Sequence, residues 1–195
     1  MHSFTKTIIF ISVGIAGLFF LLRFAGLHFV SKISPDIETT KIEDDAIQNS
    51  GVVKIGKEIP YFNLLTLDGG RINRTDIIGH PAVLTFWSTW NSESLDQVKI
   101  FDDYITKLSS KEKETSARII IINSQENKTT VSNLIRRGSY NLEVLLDSSG
   151  ETSNNYGVQT LPTTFFIDRE GKVLEKFVGT MSEGMLVDKL EQILR

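Results

Sequence analysis

The sequence predicts an α/β fold, a mixed central sheet flanked by helices, with a β-hairpin ahead of it. Three observations carry this. An apolar run, Ala82-Val83-Leu84-Thr85-Phe86-Trp87, leads into a long amphipathic stretch at 92–109. A second run, Arg118 to Asn123 (RIIIIN), does not alternate, as expected of a strand buried on both faces. Two strand-like segments, 163–168 and 172–178, flank Asp168-Arg169-Glu170-Gly171, an antiparallel hairpin. Crossover helices imply parallel strands first, and the hairpin closes the sheet.

The chain begins with a different kind of segment. Thr7 to Leu22 holds sixteen residues without a charge, and the apolar character resumes from Phe24 to Val30 after Arg23. A membrane-spanning helix needs about 20 apolar residues. Residues 7–30 are read as a single transmembrane anchor behind a short tail, 1–6, with Arg23 snorkelling toward an interface. A cleaved signal peptide is the competing reading, but no clear A-x-A site follows. Orientation is close to a tie: Lys6 lies on one side, Arg23 and Lys32 on the other. Residues 31–51 lack periodicity and carry Pro35 and five acidic residues. They read as a flexible tether.

The globular domain is placed at 52–195. Residues 61–66 and 71–73, joined through Asp68-Gly69-Gly70, form the first hairpin. Thr75 to Gly79 is one helical turn stopped by glycine, and Pro81 introduces the strand at 82–88. In the helix at 92–109, Leu95, Val98, Phe101, Ile105 and Leu108 recur at three and four, with Glu93 and Asp96 in the first turn where the helix dipole favours acids. A helix at 129–138 stops at Gly138, and a short strand follows at 142–146. The last helix, 182–194, presents Met185, Leu186, Leu190, Ile193 and Leu194.

Composition excludes several functions. The 21 basic and 24 acidic residues give a net charge of −3, against the basic face that nucleic acid requires. There are no cysteines among 195 residues, so disulfides, thiolate metal sites and thiol redox chemistry within the chain are excluded. No His/Asp/Glu cluster has metal-ligand spacing, and no cofactor is indicated. Ser88, Ser92 and Ser94 lack a base for hydrolysis, because the domain's histidine, His80, lies in the turn at the opposite end of the strand from Trp90.

The stretches IGKEIPYFNLLTLDGGRI (55–72), AVLTFWSTWNSES (82–94) and YGVQTLPTTFFIDREGKVLEKFVG (156–179) resemble membrane-anchored thioredoxins of the TlpA/ResA type, extracytoplasmic thiol-disulfide oxidoreductases. The resemblance covers about 54–194 and implies a thioredoxin-like fold. In that family the strand ends in Phe-Trp-x-x-Trp-Cys-x-x-Cys. Phe86, Trp87 and Trp90 match, but Asn91 and Ser94 stand at the cysteine positions. A glutamate often found three residues later is Gln97 here, and Ser92 and Glu93 replace a middle pair that usually includes proline. An oxygen cannot replace sulfur in a disulfide relay.

Leu161-Pro162 matches the family's cis-proline loop. The resemblance implies that Thr160, Leu161 and Pro162 face Trp90 and Asn91, forming a groove for an extended protein or peptide client. The expected function is a redox-inactive, membrane-tethered binding module on the extracytoplasmic side, acting in a thiol-redox or cytochrome-maturation pathway. Two alternatives are oxidoreductase activity that depends on a cysteine-bearing partner, and a purely structural or assembly domain.

Overall fold

A computed structural model describes residues 53–110 and 117–194. The expected tail, anchor and tether lie outside the described residues. Among those described, no helix is long and apolar enough to cross a membrane.

Seven strands form one mixed sheet. They are β1 (Asn63–Thr66), β2 (Arg71–Asn73), β3 (Ala82–Trp87), β4 (Arg118–Ser124), β5 (Glu143–Asp147), β6 (Thr163–Ile167) and β7 (Val173–Val178). Their spatial order is β2-β1-β5-β4-β3-β6-β7. The central strands β3, β4 and β5 are parallel, and both flanks are antiparallel. The helices are α1 (Ser92–Ser110), α2 (Lys128–Gly138), α3 (Glu151–Asn155) and α4 (Glu183–Ile193).

Parallel pairing buries β3 and β4 on both faces, which is why their sequences run apolar without alternation. One face packs Val83, Trp87, Ile119 and Ile121 against Val98 and Phe101 of α1, Val131 of α2, and Leu186, Leu190 and Ile193 of α4. The other face packs Leu84, Phe86, Ile120, Ile122 and Phe165 against Ile59, Phe62, Ile77 and Tyr156. Its centre is aromatic: Phe86, Tyr156 and Phe165 meet with ring centroids 5.1 to 5.8 Å apart.

The final helix carries one correction. Met185 and Leu194, expected on its apolar face, are exposed, because only the stripe through Leu186, Leu190 and Ile193 meets the sheet. Ser182 caps this helix by accepting from the Met185 N–H. The short α3 was not anticipated from sequence. Its orphan N–H groups are held from outside the helix: the buried Asp147 carboxylate at the end of β5 accepts from Thr152 N–H at 3.2 Å, Ser153 N–H at 2.8 Å and Ser153 Oγ at 2.6 Å.

Both sheet edges are modified. Edge strand β2 has three residues. At β7, the Gly56 N–H donates to Val173 O, the Val173 N–H to Lys57 O, and the Ile59 N–H to Gly171 O, so residues 56–59 run along the outer side of that strand's start. A register shift at Phe166/Ile167 interrupts the β6–β7 ladder.

Candidate functional site

Phe86 pairs with Thr163 in the β3–β6 register. That pairing makes the loop after β3, Ser88 to Asn91, and the segment before β6, Thr160 to Pro162, leave the same end of the sheet. The Leu161–Pro162 peptide bond is cis. Its loop is held from both sides: Thr163 Oγ1 donates to Thr160 O at 2.6 Å, and the Gly179 N–H donates to Pro162 O at 2.9 Å. Pro162 is buried, Leu161 half-buried and Thr160 exposed. His80 is exposed ahead of β3, at the other end of the strand.

The two tryptophans part company within four residues. Trp87 is fully buried, whereas Trp90 is 73% exposed. The large Trp90 ring therefore stays uncovered, with its apolar faces in solvent.

The Trp90 loop is fixed by a residue that the sequence reading missed. Glu126, in the β4–α2 connection, accepts from the Thr89 N–H at 2.7 Å, from Thr89 Oγ1, and from Asn123 Nδ2 at 2.7 Å. Three charge-assisted hydrogen bonds on one half-buried carboxylate pin the backbone next to Trp90. An isolated glutamate before a helix gives no sequence signal for this role, because Thr89 reaches it from the distant loop after β3.

Asn91 does something other than chemistry. Its Oδ1 accepts from the Ser94 N–H at 2.7 Å, and its carbonyl from the Leu95 N–H at 3.2 Å. Asn91 is therefore the N-cap of α1, satisfying a donor that every helix start leaves open. Where the resemblance puts the first cysteine, that donor would instead favour a thiolate. An amide side chain cannot attack a disulfide.

Ser94 and Gln97 are both fully buried. Ser94 Oγ has no hydrogen-bond partner among the described residues. Gln97 Oε1 accepts from the Met181 N–H at 2.8 Å, while its Nε2 is unpartnered. Thr180 Oγ1 donates to Glu93 O at 3.0 Å, a second tie between α1 and the β7–α4 connection. Gln97 thus serves as a neutral brace where a carboxylate would be ionisable.

Residues 55–176 match the AhpC/TSA family. The chain belongs to that family. Within AhpC/TSA proteins it is similar to the thiol-disulfide oxidoreductase ResA of Bacillus thuringiensis subsp. konkukian, at 33% identity over 141 residues, 72% of this chain and 79% of that one. A putative thiol:disulfide interchange protein DsbE from Chlorobium tepidum shares the fold, with a TM-score of 0.65 at 23% identity, covering 73% and 99% of the two chains. The exposed lipoprotein thioredoxin Etrx1 of Streptococcus pneumoniae superposes with a TM-score of 0.58 at 27% identity, covering 68% and 98%. The thioredoxin-like fold expected from the sequence is the one observed. This AhpC/TSA chain departs from its relatives' names in one respect: it holds no cysteine with which to exchange a disulfide.

Proposed function

We propose that this protein is a redox-inactive thioredoxin-like binding module, tethered to the membrane with its domain on the extracytoplasmic side. It holds a protein or peptide client, or a partner of a thiol-redox or cytochrome-maturation pathway, in the groove formed by Trp90, Asn91, Thr160, Leu161 and Pro162. The observation that carries the reading is the solvent-exposed Trp90 at the same end of the sheet as the cis Leu161–Pro162 bond, in a chain without thiols. The name of the ResA relatives supports the thiol-redox setting, and that of the exposed lipoprotein thioredoxin supports the outward side.

An extended client adds its backbone to the loop ahead of β6 and lays apolar side chains on Trp90. Asn91 keeps α1 capped whether or not a client is present. The Glu126 clamp fixes the loop beforehand, so less ordering entropy is lost on binding.

The test uses the full-length protein in two assays. Insulin reduction by dithiothreitol should proceed no faster with the protein than without it, and dithiol-type turnover would sink the reading. Partners co-purified from native membranes should be lost on Trp90→Ala and on Leu161→Asp. If both variants keep every partner, the domain is a structural element instead.

A further inference from the structure

We propose that the open groove between α1 and α2 is a second binding site, which takes an acidic segment of a partner protein bearing aliphatic side chains. Its volume is ≈ 550 Å³, inside the ~300–1,000 Å³ range of ligand sites. It is separate from the Trp90–Pro162 groove: neither Trp90 nor the cis-proline loop lines it, although Thr89 does.

The groove has an apolar floor and one charge. Leu95, Leu134 and Tyr140 form the floor, each half-buried and packed on the edge of the core. Arg137 is the charged residue of the lining, and no carboxylate is among the lining residues. The Tyr140 ring is set tightly against the end of α2. A Cβ at Gly138 would come within 2.2 Å of it, so this wall depends on glycine.

Charge complementarity selects the occupant. Helix α2 carries Lys128, Arg136 and Arg137 and no acidic residue. Arg136 donates to Asn133 Oδ1 at 2.8 Å. Arg137 is exposed and takes part in none of the four ion pairs found among the described residues. Of the carboxylates on the flanking segments, Glu126 accepts from Thr89 and Asn123, and Asp102 accepts from the Asn141 N–H at 2.6 Å, while Glu93, Asp96 and Asp103 of α1 are not among the lining residues.

An unneutralised guanidinium above an apolar floor matches a carboxylate next to an aliphatic side chain, with the planar fork available for two parallel bonds. A bare phosphate would leave the floor uncovered. A bilayer would need a convex apolar stripe, and here Val131 of α2 is buried in the core.

The test is fluorescence anisotropy of the full-length protein in detergent micelles with two fluorescein-labelled nine-residue peptides. One alternates leucine and glutamate, the other leucine and lysine. The Leu/Glu peptide should bind at least tenfold more tightly. Arg137→Glu should weaken it at least tenfold, Arg137→Gln by less, and Arg71→Glu, on β2, should change nothing. Three results would overturn the proposal: no saturation with the Leu/Glu peptide by millimolar concentration, equal binding by Arg137→Glu, or Arg137-dependent binding to phosphatidylglycerol vesicles without peptide binding. Loss of peptide on Trp90→Ala but not on Arg137→Glu would place it in the Trp90 groove and also overturn this assignment.

Discussion

On the face of the sheet that carries Phe86, two buried polar groups have partners. The Tyr156 hydroxyl donates to Pro60 O at 3.2 Å amid three other aromatic rings, and the Asp147 carboxylate accepts three hydrogen bonds nearby. Around the end of β3 and the start of α1 the situation reverses. Of six buried side-chain atoms without a hydrogen-bond partner among the described residues, five lie here: Trp87 Nε1, Ser88 Oγ, Ser94 Oγ, Gln97 Nε2 and Asn123 Oδ1. A buried unpartnered polar atom costs about 1–3 kcal/mol, so a region built only for stability would not collect them. The contrast sets partnered polar groups beside the aromatic cluster against a gathering of buried, unpartnered ones at the end of the sheet that carries Asn91 and Ser94.

Substitutions on the two sides should therefore behave differently. Phe86→Ala, in the aromatic face, should cost about 3–5 kcal/mol in urea unfolding, through lost burial and a cavity; a loss under about 1 kcal/mol would show that this face is not the main core. Asn91→Ala should cost about 1 kcal/mol by uncapping α1, with Asn91→Asp keeping most of the stability. An unchanged midpoint for Asn91→Ala would mean that the cap contributes nothing.

Tyr156→Phe should also cost about 1 kcal/mol, the net value of its hydrogen bond. Burial holds the Tyr156 phenol well above its ordinary value. The unfolded chain loses this proton near pH 10 while the folded protein keeps it, so stability falls as pH rises past about 10. The wild type should show that alkaline decline more steeply than Tyr156→Phe. Parallel pH profiles would contradict it. Ser94→Ala is the smallest effect and has the opposite sign. Removing an unpartnered hydroxyl should raise stability by up to about 1 kcal/mol, a melting temperature increase of roughly 2–4 °C. A lower melting temperature would show that Ser94 Oγ has a partner after all.

The sheet was legible because its central strands are buried on both faces and so write uninterrupted apolar runs, while the closing hairpin announces itself through its DREG turn. Helix α1 was legible through its three-and-four spacing. The five-residue α3 was not, because it completes barely more than one turn and its donors are satisfied by Asp147, which precedes it. The periodicity of α4 placed Met185 and Leu194 inward, but the docking of that helix on the sheet decides how wide the buried stripe is. At the site, the resemblance read from the sequence singled out Asn91, Ser94 and Gln97, yet their roles as cap, unpartnered hydroxyl and brace depend on the Ser94 and Met181 N–H groups. Glu126 was missed for the same reason: Thr89, the group it holds, is brought to it by tertiary structure.

The outer borders of the sheet have a consequence for the protein's behaviour in a crowd. A bare strand edge is a template on which another chain can pair, the first step toward polymers of β-structure. Here β2 offers only three residues, and the start of β7 is already occupied by residues 56–59, with a register shift beyond. Copies of this domain can therefore stand close together with little backbone left to join, even though leucine and valine side chains at positions 174 and 178 remain in contact with solvent.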